Sequence, residues 1–223
     1  MKTFIITQFL LTTMLLCNAQ VAFEWPIKVL DTARDVTYLS NEEKDFILEL
    51  NKVRYNPAMY SHFDMLWMEV FYSGKNLMIP GKDVYQTEEG KVAFQECIAA
   101  LKKAEPAPIL YPSKGMTKAC DLLVYDQSST GQTGHRGSGN STPIDRMSRF
   151  GTVSGAYAEN IHYGDCEPKF ILISLLIDDG VRGRGHRANI LSKDFNTVGV
   201  AIGTHKTYGG MCVNTFSTAY TDK

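Results

Sequence analysis

The chain is predicted to be an α+β domain in which helices pack on a largely antiparallel sheet. Stretches with helical periodicity or helix-cap signals recur near 40–56, 93–103, 115–127, 142–151 and 168–179. Extended stretches at 156–161, 198–202 and 211–220 crowd the last third, the final two joined by the turn Tyr208-Gly209-Gly210. No regular alternation of strand, helix and strand runs through the chain, so a doubly wound parallel sheet is disfavoured.

Composition agrees with a folded domain and removes whole classes of function. With 44% hydrophobic residues in 223, neither a long disordered tail nor a collagen-like repeat is expected. The 23 basic and 24 acidic side chains balance, so nothing pulls the whole molecule toward nucleic acid or an anionic membrane. A chain of this size buries about 70% of its unfolded surface, enough for a core independent of metal or covalent staples.

Residues 1–19 read as a cleaved signal peptide: Lys2, an apolar run, then the small-residue pattern Cys17-Asn18-Ala19. An anchor is the weaker reading, because a span wants about 20 strongly apolar residues and Phe4 to Leu16 is interrupted by Thr and Gln. Leu16 ahead of Cys17 also disfavours a lipid-modified cysteine. A secreted or periplasmic protein with no stable membrane span after processing is therefore expected. In such a compartment Cys97, Cys120, Cys166 and Cys212 could form disulfides, with the pairing left open. Cys120, sharing an apolar helical face with Met116, Ala119 and Leu123, also suits a buried free thiol.

Residues 20–39 are predicted to be an irregular lead-in, and 40–223 the domain. Ser40 and Glu43 form a capping box, and Phe46, Ile47, Leu50 and Val53 recur at helical spacing until Pro57. The segment 63–104 is rich in aromatic residues and Met before a helix near 93–103. After the helix at 115–127 comes a loop of Gly, Ser and Thr containing His135, and Thr142-Pro143 caps a short helix closed by Gly151. The stretch 168–179 is apolar nearly all round, so it must be covered on most sides.

Charges in apolar surroundings are the informative residues, because burying one is costly unless it is paired or ligates a cation. Glu159 interrupts the extended Ala156-Tyr157-Ala158-Glu159-Asn160-Ile161, and Asp178-Asp179 end a helix where the macrodipole favours cations. A functional site or a positive partner explains either, and Arg182, Arg184 and Arg187 supply candidate partners. His62 and His205 are expected at the surface. His162 is expected to face away from Glu159, by strand alternation, and so to stay out of any cleft containing it.

Four motifs in order, Gly134-His135-Arg136-Gly137, Ala158-Glu159-Asn160-Ile161, Gly185-His186-Arg187-Ala188-Asn189-Ile190-Leu191 and Phe195-Asn196-Thr197-Val198-Gly199-Val200, resemble a CAP domain. This superfamily takes in cysteine-rich secretory proteins, antigen 5 and plant pathogenesis-related proteins, with many secreted bacterial members. The resemblance implies a three-layer α-β-α sandwich, covers about 40–220, and sets 64–104 apart as an insertion. It also implies a central polar cleft holding His135, Glu159, Asp178 and His186. Leu175 stands where the family's helical Trp is found, and Asp178, with Asp179 as a substitute, stands where Glu is common.

Two imidazoles and two carboxylates suit a borderline divalent ion, zinc foremost; the same groups without metal could form a structural cluster. No organic cofactor and no nucleic-acid partner is implied. The resemblance implies a binding module for a small-molecule, lipid or protein ligand. The alternative is a metal-assisted hydrolase, a peptidase or esterase, in which His135 or His186 is the base and Glu159 orients it or acts as acid. The serines of the loop read as polar loop residues rather than activated nucleophiles, and Asn160 and Asn189 as amides fixing backbone around the cleft.

Overall fold

Trp25-Pro26 opens a single helical turn, α1 (Ile27–Leu30), in the computed structural model, which describes residues 23–223. The predicted leader lies outside the described residues. The lead-in is thus not wholly irregular: Leu30 is buried, and its carbonyl accepts from the Asn51 amide at 2.8 Å. That amide sits on α2 (Asn41–Tyr55), whose start is the predicted capping box, Ser40 accepting from the Glu43 N–H while Glu43 accepts from the Ser40 N–H. Pro57 starts a further turn, α3 (Pro57–Tyr60), and the chain tightens through π and 3₁₀ turns to Phe71.

A small meander follows, with β1 (Tyr72–Ser73), β2 (Asn76–Leu77) and β3 (Tyr85–Gln86) paired antiparallel in that order, then α4 (Lys91–Lys103). After β4 (Tyr111–Pro112), the long α5 (Lys114–Thr130) is capped by Ser113 and ends at Gly131, whose φ of 72° suits a residue without Cβ. The loop beyond it leads to α6 (Pro143–Ser148), capped by Thr142, so Gly151 does not close the helix but begins β5 (Gly151–Val153).

The main sheet is completed by β6 (Tyr157–Tyr163), β7 (Thr197–His205) and β8 (Gly209–Ser217), with α7 (Pro168–Ile177) and α8 (Gly185–Leu191) between β6 and β7 and β9 (Tyr220–Asp222) after β8. Its order is β4-β7-β8-β6, antiparallel except for the short β4–β7 pair, while β5 and β9 form a separate ribbon. Alternate residues of β7 and β8 sort between two layers. Ala201, Met211 and Val213 meet Cys120 and Leu123 of α5 on one face. Val198, Val200, Cys212 and Phe216 meet α2 and α7 on the other. Gly199 is required where α5 crosses β7, since a Cβ there would overlap the Met116 backbone.

The result is the expected α-β-α sandwich with one addition. Phe94, Cys97 and Leu101 of α4 pack against the outside of α7, so α7 lies between the sheet and a further helix. This explains its apolar character on every side. Arg54, fully buried on α2, donates to the carbonyls of Pro108, Ile190, Ser192 and Phe195 at 2.6–2.9 Å. It thereby satisfies the end of α8. Burial draws its pKa down to about 10. Cys97, Cys120, Cys166 and Cys212 are all free thiols.

Candidate functional site

Strand β6 is the edge of the sheet, and the predicted site residues flank it from its two faces. On the α5 side, Glu159 is buried and its two oxygens are both engaged. Oε1 lies 2.9 Å from Nδ1 of His135, and Oε2 accepts from the Arg146 guanidinium at 2.6 Å. Arg146, also buried, donates to the carbonyls of His135 and Ser141 at 3.1 and 3.0 Å, so it fixes the loop as well as the carboxylate. The same loop is held by the Gly134 N–H donating to the Tyr163 hydroxyl, and by Gln127, whose amide donates to the Gly134 carbonyl and accepts from Tyr163.

On the other face, Asp178 ends α7 in the left-handed region at φ 56°, a conformation a short polar side chain tolerates. Its carboxylate does not oppose the dipole of its own helix so much as serve the start of the next. Oδ2 accepts from the His186 N–H at 2.8 Å and Oδ1 lies 2.6 Å from His186 Nδ1. Asn160 donates to the His186 carbonyl at 3.1 Å, and Asn189 donates to Asn160, which matches the backbone-fixing role expected of these amides.

A cavity of about 390 Å³ opens beside the second pair. His162, Asp178 and His186 line it together with apolar residues of α7 and of the segment 68–87. The Arg184 guanidinium donates to Glu89 and Glu96 and to the Asp178 carbonyl, and Arg187 donates to Glu96, so the cations near the site are taken up by residues of the 64–104 segment.

A family model described as the cysteine-rich secretory protein family, CAP, matches residues 49–220. The chain belongs to the CAP family. Among solved structures, an extracellular protein containing a SCP domain from Bacillus anthracis str. Ames is similar at 20% identity and TM-score 0.41, over 51% of this chain and 35% of that one. An outer surface protein from Borrelia burgdorferi is similar at 14% identity and TM-score 0.41, over 57% of this chain and 90% of that one. No curated protein matches.

Within this CAP chain the site residues form two pairs, His135 with Glu159 and His186 with Asp178, and no hydrogen bond among the described residues joins them. No group of three or more His, Cys, Asp or Glu among the described residues is placed to hold a metal ion. The carboxylates instead grip each ring at Nδ1, the arrangement that orients an imidazole and leaves Nε2 as its free nitrogen.

Several expectations need correction. Asp179 does not stand in for Asp178: its carboxylate accepts from the backbone N–H groups of Glu88 and Glu89 and ties the segment before α4 to this loop. The positive partner of Glu159 is Arg146, not the 182–187 run. His162 faces away from Glu159 and shares no cavity with it, as expected; the cavity it lines with Asp178 and His186 takes in Ile161, His162 and Tyr163 of the edge strand but neither His135 nor Glu159, so the four expected residues do not line one cleft. His205 is buried, its Nε2 2.9 Å from the Gln132 carbonyl, whereas His62 is exposed as expected. Arg146 escaped sequence reasoning; the available signal was that a buried Glu159 needs a cation, and Arg146 lies between it and His135 in the chain.

Proposed function

We propose that this CAP-domain protein is a secreted or periplasmic binding module whose cleft at the β6 edge takes a small-molecule or lipid-like ligand. The supporting observation is the pairing itself. Two imidazoles are each held at Nδ1 by a buried carboxylate, both keep Nε2 free of protein partners among the described residues, and one of them borders the cavity. A zinc ion is an accessory in this reading, taken up at a free imidazole nitrogen with water completing its shell rather than by a preformed set of four ligands.

The His135–Glu159 dyad is what speaks for the alternative, a metal-assisted hydrolase. No serine, threonine or cysteine among the described residues hydrogen-bonds to the ring of His135 or His186, so a hydrolase here would use water rather than a side-chain nucleophile. Two measurements test the reading. Native mass spectrometry of protein taken straight from its source should show a retained small molecule that His186→Ala loses. Calorimetry with zinc should give a stoichiometry of about one in wild type and no heat in the His135→Ala, His186→Ala double variant. Chelator-sensitive ester or peptide turnover that vanishes in Glu159→Gln would overturn the binding reading in favour of the hydrolase.

A further inference from the structure

The segment 64–104 does more than cover α7: it supplies one wall of the cavity beside His186. Met68, Tyr72, Leu77 and Tyr85 line that cavity together with Phe170, Ile173 and Ile177 of α7. The wall is rich in aromatic rings. Tyr85 lies 4.8 Å from Phe170 at a 41° tilt, and Tyr208, which also lines the cavity, lies 5.5 Å from Tyr163. The wall is also built to stay in place. Asp179 accepts from two backbone N–H groups just ahead of α4, and Arg184 and Arg187 bind Glu89 and Glu96, so little ordering is left for a ligand to impose.

The charge inventory narrows the occupant. Burial drives the Tyr72 and Tyr85 hydroxyls up to about 12 and the His162 imidazole down to about 4, so all three are neutral near pH 7. Asp178 is spent on the ring and backbone of His186, and Asp179 on Glu88 and Glu89. A cation therefore finds no free carboxylate, and an anion would face two of them. For polar contact the cavity offers Nε2 of His186, beside the Gln86, Thr87 and Ser174 side chains and the tyrosine hydroxyls. In the tautomer whose Nδ1–H donates to Asp178, Nε2 is the acceptor.

We propose that the segment 64–104 makes the His186 side of the cleft a pocket for a small neutral aromatic alcohol, its ring among Tyr72, Tyr85, Phe170 and Tyr208 and its hydroxyl donating to His186 Nε2. The volume of about 390 Å³ falls in the range of small-molecule sites, and edge-to-face or offset contact with several rings rewards a flat ring over an alkyl chain. This inference rests on the proposed reading of the cleft as a ligand site.

The probe is 2-naphthol, titrated calorimetrically into the full protein, with 2-methoxynaphthalene, decan-1-ol and 2-naphthoate in parallel. 2-Naphthol should bind at one site, and the methyl ether, which cannot donate, about tenfold more weakly, the gap expected of one hydrogen bond. In His186→Ala that gap should vanish. Tyr85→Leu and Tyr72→Leu, each checked for an unchanged melting curve, should weaken 2-naphthol severalfold and leave decan-1-ol unaffected. Equal affinity for 2-naphthol and its ether, tighter binding of decan-1-ol or 2-naphthoate, or no binding of 2-naphthol overturns the proposal. If 2-naphthol fails while native mass spectrometry still finds a ligand that depends on His186, the cleft reading survives and only the aromatic assignment falls. If both fail, both fall.

Discussion

Asp178 closes α7 and opens α8 with one carboxylate: it sits 2.6 Å from Nδ1 of His186 and accepts the backbone N–H of the same residue at 2.8 Å. The ring orientation at the site is thus a by-product of how two helices are joined. Asp178→Ala should cost about 2–3 kcal/mol, since it loses a charge-assisted hydrogen bond and a helix-start contact together. Asp178→Asn, which keeps an acceptor and tolerates φ 56°, should cost about 1 kcal/mol. Urea unfolding of both variants checks the order, and equal losses would contradict it.

Glu159 and Arg146 should be strongly coupled. Glu159→Ala leaves a buried guanidinium unpaired, as does Arg146→Ala for the carboxylate, and each should cost about 3–5 kcal/mol. Replacing both with apolar residues, Glu159→Leu with Arg146→Met, should cost less than either alone. A double-mutant cycle in denaturant reads the coupling directly; additive losses would show that the pair is not a unit.

The fold should weaken in mild acid through His162. Desolvation lowers its pKa from 6.5 to about 4, so between those values the unfolded chain binds the extra proton. The stabilisation is complete above about pH 6.5 and is lost as pH falls toward 4, by up to about 3 kcal/mol. His162→Gln, whose amide can still donate to the Asp165 carbonyl that His162 Nε2 contacts at 3.0 Å, should flatten stability across that range. A pH profile of the unfolding free energy identical to wild type would refute the assignment.

Gly199→Ala should destabilise by about 1–3 kcal/mol, because the added methyl forces α5 away from β7 at the Met116 backbone. Gly134→Ala has open space for its methyl, but the residue adopts φ 95°, so its cost is conformational and should appear as a displaced His135 loop. Thermal melts of the two variants, and the His135 ring signals by NMR, separate these outcomes.

Local signals foretold the elements well. The Ser40–Glu43 box, the Thr142-Pro143 start and the all-round apolar α7 each depend on neighbours within a few residues, and each stands where expected. The two site pairs were legible only as motifs, because the partners in His135–Glu159 are 24 residues apart and no local rule joins them. Arg146, Arg54 and His205 were not legible at all. Their burial is decided by which carbonyls and carboxylates the finished fold brings alongside. Strand alternation oriented His162 correctly but could not show that β6 is an edge, where both faces border one cavity.

Cys97, Cys120, Cys166 and Cys212 remain unlinked thiols, in a chain whose family is described by its cysteines. Among the described residues nothing covalent therefore braces the sandwich against reductants. Its melting temperature should be the same with and without dithiothreitol, and a bacterial cytoplasm should serve as well as an oxidising compartment for producing it.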